Sequence, residues 1–272
     1  MTNREIKRRI GSVKETVKIT KAMYSISVAK MLRAKEVVPK AEAYKAASEE
    51  MLSLVARSMT AKEPYFAPRG DRAGFLVIAG DKGLCGDFNQ KVVECAMRAI
   101  REKTERYVFT VGSVTRESFR KAGVSPDIEF LNTAENPSPE TASSIASDIL
   151  YLFESDMLDE IWFVFTKVKE SGAEVALKRV LPFAASEGEA VLIEPSESDL
   201  LPKAMERYLS AFVYYALISS SLAENLARVK AMPQATNNGE KMIAALTAKY
   251  NRLRQEGITR ALQDAGVSDA KL

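Results

Sequence analysis

The chain has no histidine, two cysteines and one tryptophan among its 272 residues. The missing histidine removes the commonest general base and the commonest metal ligand. No serine or cysteine can be activated by an imidazole, which excludes the usual nucleophile–histidine pair. Cys85 and Cys95 are too few for a thiolate metal cluster or a disulfide framework, and they read as free thiols in a reducing compartment. Long hydrophobic runs are also missing. The longest, Ala211 to Ile218, falls far short of the roughly 20 apolar residues that span a bilayer, so any membrane association is expected to pass through other proteins. The N-terminus lacks the apolar core of a signal peptide, and helical heptads beginning by Ile6 leave no room for a transit peptide.

What is present is charge, unevenly distributed. The net charge is only +3, yet residues 1–35 hold ten Lys/Arg against two Glu, a local +8. Residues 223–260 hold seven Lys/Arg against three Glu, a local +4, and the stretch 36–222 is correspondingly acidic at −8. Cationic ends and an anionic middle imply different partners for the two regions. With 46% hydrophobic residues the chain can bury a core of ordinary size in one or two domains.

Periodicity organises these regions. Ile6, Ile10, Val13, Val17, Thr20, Tyr24, Ser27, Met31, Ala34, Val38 and Ala41 step by threes and fours, a heptad seam with polar interruptions at Thr20 and Ser27. Thr2 or Asn3 can cap the helix, which extends to about Met59 with a bend expected at Pro39. Ile19, Met23 and Ile26 lie off the seam, and a solitary pair of helices would leave them wet. After a Pro- and Gly-rich linker (61–72) the pattern changes. Phe75–Ala79, Tyr107–Val111 and Ile128–Leu131 read as strands alternating with helices over Gln90–Lys103, Ser113–Ala122 and Thr141–Phe153. Glu160–Val168 and Val175–Leu181 form a strand pair, and Val191–Ile193 suggests one more short strand. A last helix is expected from about Leu200 to about Asp264, capped by Ser198, with Leu222, Leu226, Val229, Ile243, Leu246, Tyr250 and Leu253 as its seam. Pro233 and Asn237-Asn238-Gly239 mark where it would kink or break. The fold class is therefore α/β: a Rossmann-like mixed sheet in the middle (73–195), flanked by N-terminal (1–60) and C-terminal (198–268) helices that pair as a long antiparallel coiled coil.

Few motifs suggest chemistry. GDKGLCGDFN (80–89) lies between a strand and a helix, where phosphates are often held. Its glycines at 80, 83 and 86 match neither a dinucleotide fingerprint nor a P-loop, and a tight turn explains them better. Asp156, Asp159 and Glu160, and again Glu187, Glu189 and Glu194, are acidic clusters without a spacing that fixes a ligand geometry. The cations of the first helix surround it and have no interleaved aromatics, so a protein sleeve bearing carboxylates fits them better than nucleic acid. An α/β nucleotide-binding protein and a coiled-coil nucleic-acid binder remain the rival readings.

Three stretches together carry a resemblance. IKRRIGSVKETVKITKAMYSISVAKMLRAKE, GDKGLCGDFN and SLAENLARVKAMPQATNNGEKMIAALTAKYNRLRQEGITRAL resemble, in that order, the terminal signatures and the Gly-Leu-Cys-Gly loop of the gamma subunit of bacterial F-type ATP synthases. The resemblance implies a non-catalytic central rotor stalk, one copy per complex and without a cofactor. Its partners would be a ring of three alpha and three beta subunits, the epsilon subunit and the c-ring, with no nucleic acid. It would sit peripherally on the cytoplasmic face of the bacterial inner membrane. It places Met23 and Arg228 where the shaft meets the nucleotide-dependent lever of the beta subunit, and Arg254, Gln255 and Thr259 at the loop gripping the upper shaft. Glu194 becomes the acidic foot near the c-ring, while Gly83, Cys85 and Gly86 belong to the structural loop. Pro233 departs from the family pattern, which runs an unbroken helix there.

Overall fold

A computed structural model of the chain describes the backbone of residues 2–58, 64–67, 69–130, 133–170, 172–184 and 197–269, with side chains of the terminal helices described through 57 and over 200–259. Among the described residues the order is α1 (Asn3–Ser58), β1 (Arg72–Ile78), α2 (Phe88–Arg101), β2 (Glu105–Val111), α3 (Ser113–Lys121), β3 (Ile128–Phe130), α4 (Pro139–Glu154), β4 (Glu160–Lys169), β5 (Gly172–Leu181) and α5 (Glu197–Asp269). The five strands form one sheet in the order β3-β2-β1-β4-β5. The first four are mutually parallel and β5 returns antiparallel beside β4.

Strand alternation decides what each sheet face covers. On β1, Leu76 and Ile78 join one apolar cluster, with Phe109 and Val111 of β2 and Ile161, Phe163 and Phe165 of β4. Phe75 and Val77 point the other way, with Val108 and Val164. The first face is covered by α4 and by parts of α1 and α5, the second by α2 and α3. Both faces of the inner strands are thus dry, and β1 accordingly reads as an unbroken apolar run. Phe212 of α5 meets Phe163 and Phe165 edge to face, with ring centroids 5.2 and 5.9 Å away. Each such fully buried side chain contributes about 1.5–3 kcal/mol.

Local signals start the helices. Thr2 and Glu5 form a reciprocal capping box, in which Glu5 N donates to Thr2 Oγ1 (3.3 Å) and Thr2 N to Glu5 Oε2 (2.8 Å). Ser138 caps α4 through Thr141 N at 3.2 Å, with Pro139 opening the first turn. Helix α5 begins at Glu197, so Ser198, expected as its cap, lies inside the first turn. Helix α1 continues through Pro39 and α5 continues through Pro233 and Gly239, so the break considered near 233–239 does not occur. Both prolines are exposed, which leaves the backbone carbonyl each one deprives of a donor within reach of water. The expected strand at Val191–Ile193 lies outside the described residues.

The chain divides into two compact units, one of residues 1–27 with 229–272, the other of residues 28–228. The expected body, 73–195, therefore grows to include the inner halves of both long helices. The reason is the sequence of α5 between Leu201 and Asn225. Lys203, Glu206 and Arg207 keep one face of its first turns exposed, but no residue from Tyr208 to Asn225 is exposed, and Tyr208, Leu209, Phe212, Val213, Ala216 and Leu217 are all buried. A helix apolar all round belongs inside a domain.

Candidate functional site

Within the larger unit, the loop that follows β1 is held from every side. Gly80 N donates to Asn89 Oδ1 at 2.8 Å, and Asn89 Nδ2 donates to Lys82 O (3.3 Å) and Cys85 Sγ (3.2 Å). Asp81 accepts from Ser113 N and Glu135 N, each at 3.1 Å, and the Ser113 hydroxyl donates to Asp81 O at 2.7 Å. Leu84 and Gly86 adopt φ of 62° and 61°, so the loop does need left-handed backbone at two positions. Gly86 supplies one of them without strain. Gly83 offers its carbonyl oxygen to Arg228 Nη2 at 3.2 Å, and Cys85 is buried beneath Asn89.

The loop also occupies the position where α/β sheets usually bind ligands, since the strand order reverses at β1 and β4. Here the chain's own helix fills that crevice. A Cβ on Gly80 would lie 2.8 Å from Glu224 Oε1. Arg228 is 7% exposed and Glu224 also 7%. Arg228 Nη2 donates to Glu224 Oε1 at 2.5 Å and approaches Lys82 O at 3.5 Å. Burial pushes the Glu224 carboxyl above its ordinary range, and the Arg228 guanidinium opposes that push without cancelling it. Burial, with Glu224 second, pushes the Cys85 thiol up as well. At the start of α2 the N-cap is Asp87, whose side chain makes no capping bond and pairs with Lys91 at 2.7 Å.

At the opposite end of the inner strands the acidic cluster 156–160 resolves into separate pairs. Asp156 meets Arg69 at 2.5 Å. Asp159 takes Arg72 Nε and Nη2, both at 2.8 Å. Glu160 accepts from Lys103 Nζ at 2.6 Å and Trp162 Nε1 at 2.9 Å. Each carboxylate serves a cation of this chain, which is a structural use. Glu187, Glu189 and Glu194 lie outside the described residues.

The smaller unit is built from the two chain ends. Val17 lies against Gly239 and Thr20 against Thr236, so α1 and α5 run antiparallel. The Thr20 and Thr236 hydroxyls are 2.7 Å apart, and Thr20 also donates to Val17 O at 3.0 Å. The polar interruption in the seam is thus a satisfied cross-helix bond. Lys21 reaches Glu240 at 2.8 Å. Ile6 and Val17 are buried, while Ile10, Val13, Ile243, Leu246, Tyr250 and Leu253 are half-buried, as a two-helix seam requires. The second apolar set behaves differently: Ile19 and Ile26 are 56% and 57% exposed, with Met23 half-buried between them. Arg254, Gln255 and Thr259 are exposed on α5, Thr259 donating only to Gln255 O at 3.0 Å. Met23 belongs to this unit and Arg228 to the larger one, its guanidinium turned into the loop.

Comparison with known proteins decides the family. A family model described as ATP synthase matches residues 2–266. A relative named ATP synthase gamma chain, from Caldanaerobacter subterraneus subsp. tengcongensis, is 35% identical over 96% of this chain and 97% of its own. This chain belongs to the ATP synthase gamma chain family. Another member, from Heliobacterium modesticaldum, is 31% identical with 96% of each chain covered. Among solved structures, the Euglena gracilis mitochondrial ATP synthase has a chain that matches 99% of this one with 94% of its own length, at a TM-score of 0.70 and 16% identity. A chain of the Tetrahymena thermophila mitochondrial ATP synthase, described as central stalk and c-ring, matches 80% of this chain with 99% of its own, at a TM-score of 0.63 and 23% identity. At those identities the structural likeness speaks to the fold of a family whose membership the sequence relatives establish.

The residues that sequence reasoning missed are Asp81, Glu135 and Glu224, while Asn89 was named only as the end of the loop motif. Asn89 and Glu224 each had a local signal, one at the end of the glycine loop and the other four residues before Arg228 on the same helix face. Glu135 had none, because its partners are 53 and 105 residues away in the chain.

Proposed function

We propose that this chain is the central rotor stalk of an F-type ATP synthase, carrying ion-driven rotation of a c-ring to the catalytic sites on a ring of three alpha and three beta subunits. The observation that carries the reading is the antiparallel pairing of the two chain ends through Val17–Gly239 and Thr20–Thr236, with Ile19 and Ile26 left open to solvent. Two apolar side chains more than half exposed on a cationic pair of helices suit a surrounding protein sleeve with apolar and acidic lining. The pair is not cylindrically symmetric, so its contact energy with such a sleeve depends on angle. Rotation and the conformations of the three catalytic subunits are then linked, each biasing the other.

The stalk itself performs no ATP chemistry in this reading. The crevice at the switch of strand order is filled by Glu224 and Arg228, which speaks against the rival nucleotide-binding protein. Met23, Arg254, Gln255 and Thr259 face the ring, and Glu194 stands near the c-ring. Arg228 acts on the ring indirectly, because its donors are turned inward. The epsilon subunit is a further partner, and membrane contact on the cytoplasmic face of a bacterial inner membrane is made through the c-ring. No described helix is long and apolar enough to cross a membrane.

The test is purification of the tagged chain from its own membranes. One copy should be recovered with three copies each of two nucleotide-binding subunits. Recovery alone, with tight stoichiometric ATP or dinucleotide binding, would overturn the reading.

A further inference from the structure

Both long helices pass from the larger unit into the smaller one, α1 between Ser27 and Val28 and α5 between Arg228 and Val229. Just inside the larger unit, α5 is tied to the loop after β1 directly and α1 is tied to it through Glu135. On α1, Lys30 Nζ meets Glu135 Oε1 at 3.1 Å, and Lys82 Nζ from the loop meets that oxygen at 2.8 Å. On α5, Arg228 Nη2 donates to Gly83 O and approaches Lys82 O, while Glu224 holds the guanidinium from one turn away. Asp81 completes the frame by receiving Glu135 N and Ser113 N. The Arg228–Glu224 tie is buried, whereas Lys30, Glu135 and Lys82 are partly open to water.

Thermodynamic stability is a poor reason to keep such a group. Burying a guanidinium and a carboxylate costs solvation that their attraction often fails to recover, and an apolar filler does as well or better. What directional bonds do supply is a fixed geometry.

We propose that Lys30, Lys82, Glu135, Glu224 and Arg228 form a collar that fixes both long helices to the sheet where they leave the larger unit, so that twist applied to the sheet domain reaches the paired chain ends without slip. The inference rests on the stalk reading above and adds to it a set of positioning residues. Lys82 serves both helices, its ammonium through Glu135 and its carbonyl through Arg228. Apolar packing already holds each helix on the sheet, and the collar adds directional bonds at the point where the helices leave it.

The experiment uses the assembled complex, immobilised through its ring, with a bead on a biotinylated Glu170→Cys at an exposed turn of the sheet domain. The width of the bead's angular distribution during a catalytic pause reports torsional compliance, which a merely structural residue leaves unchanged once the complex has formed. Arg228→Met should at least double the variance while ATP-driven rotation continues, and Arg228→Lys should recover part of the difference. If Arg228→Met does not assemble, the pair Lys82→Met with Glu135→Gln, at more exposed side chains, carries the test and should widen the distribution in the same direction. Unchanged variance in an assembled variant overturns the collar alone. A wild-type chain that does not join a ring overturns the stalk reading and the collar with it.

Discussion

Asp159 is 2% exposed and holds Arg72 through both of its oxygens, one of which also accepts from Arg72 N at 3.1 Å. The pair fastens the start of β1 to the start of β4, two strands far apart in sequence. Arg72 is 37% exposed at its side chain, so water screens the attraction. Asp159→Asn is therefore expected to cost about 1–2 kcal/mol in urea unfolding at neutral pH. The hydrogen bonds from Arg72 hold the Asp159 carboxyl below its ordinary range. A lowered acid contributes stability above its unfolded value and loses it as pH falls through the folded one. Wild type and Asp159→Asn should thus converge in acid, and a constant gap from neutral to acid pH would disprove the assignment. This residue was visible in the sequence only as one acid among several. Its partner is 87 positions away, which no local pattern encodes.

Gly239 is a point of close approach between the paired helices. A Cβ there would sit 2.5 Å from Val17 Cγ2. Glycine inside a helix ordinarily costs about 1 kcal/mol relative to alanine. At Gly257, where nothing lies within 4 Å of the added carbon, Gly257→Ala should raise thermal stability by up to about that amount. Gly239→Leu should do the reverse, since overpacking costs about 1–3 kcal/mol. Circular dichroism melts that move the same way for both would remove the close-approach argument. Pro233 offers a second contrast on the same helix. It is exposed, the helix passes through it, and Pro233→Ala should stabilise α5 by as much as about 3 kcal/mol, read from the same melts. Most elements were legible at this scale. Beginnings and ends of β1, α2 and α4 shift by one to three residues, because caps and sheet register set them. The asparagine–glycine sequence that looked like a break is instead where the second helix comes close.

For the whole molecule, the two ends should be separable from the body. Removing residues 255–272 takes away no residue described as buried, and the sheet domain should keep its fold and its near-ultraviolet signal while recovery of the ring weakens. Loss of the sheet domain's cooperative melt would show that the end helix is core. Met23→Lys puts a cation between Ile19 and Ile26, and fewer ions should be pumped per ATP hydrolysed in membrane vesicles. Equal ratios would place that face outside the ring contact.

The α/β class, the alternation of elements and the family itself follow from the sequence, because periodicity, caps and the three signature stretches are local and survive in one dimension. Where the body ends and the shaft begins is a tertiary matter. Residues 28–58 and 197–228 join the sheet because their apolar sides face strands far away in the chain. The inward turn of Arg228 has the same origin: a guanidinium on a helix can face out or in, and the carbonyls of Lys82 and Gly83, brought to the Arg228–Glu224 pair by folding, favour the inward one.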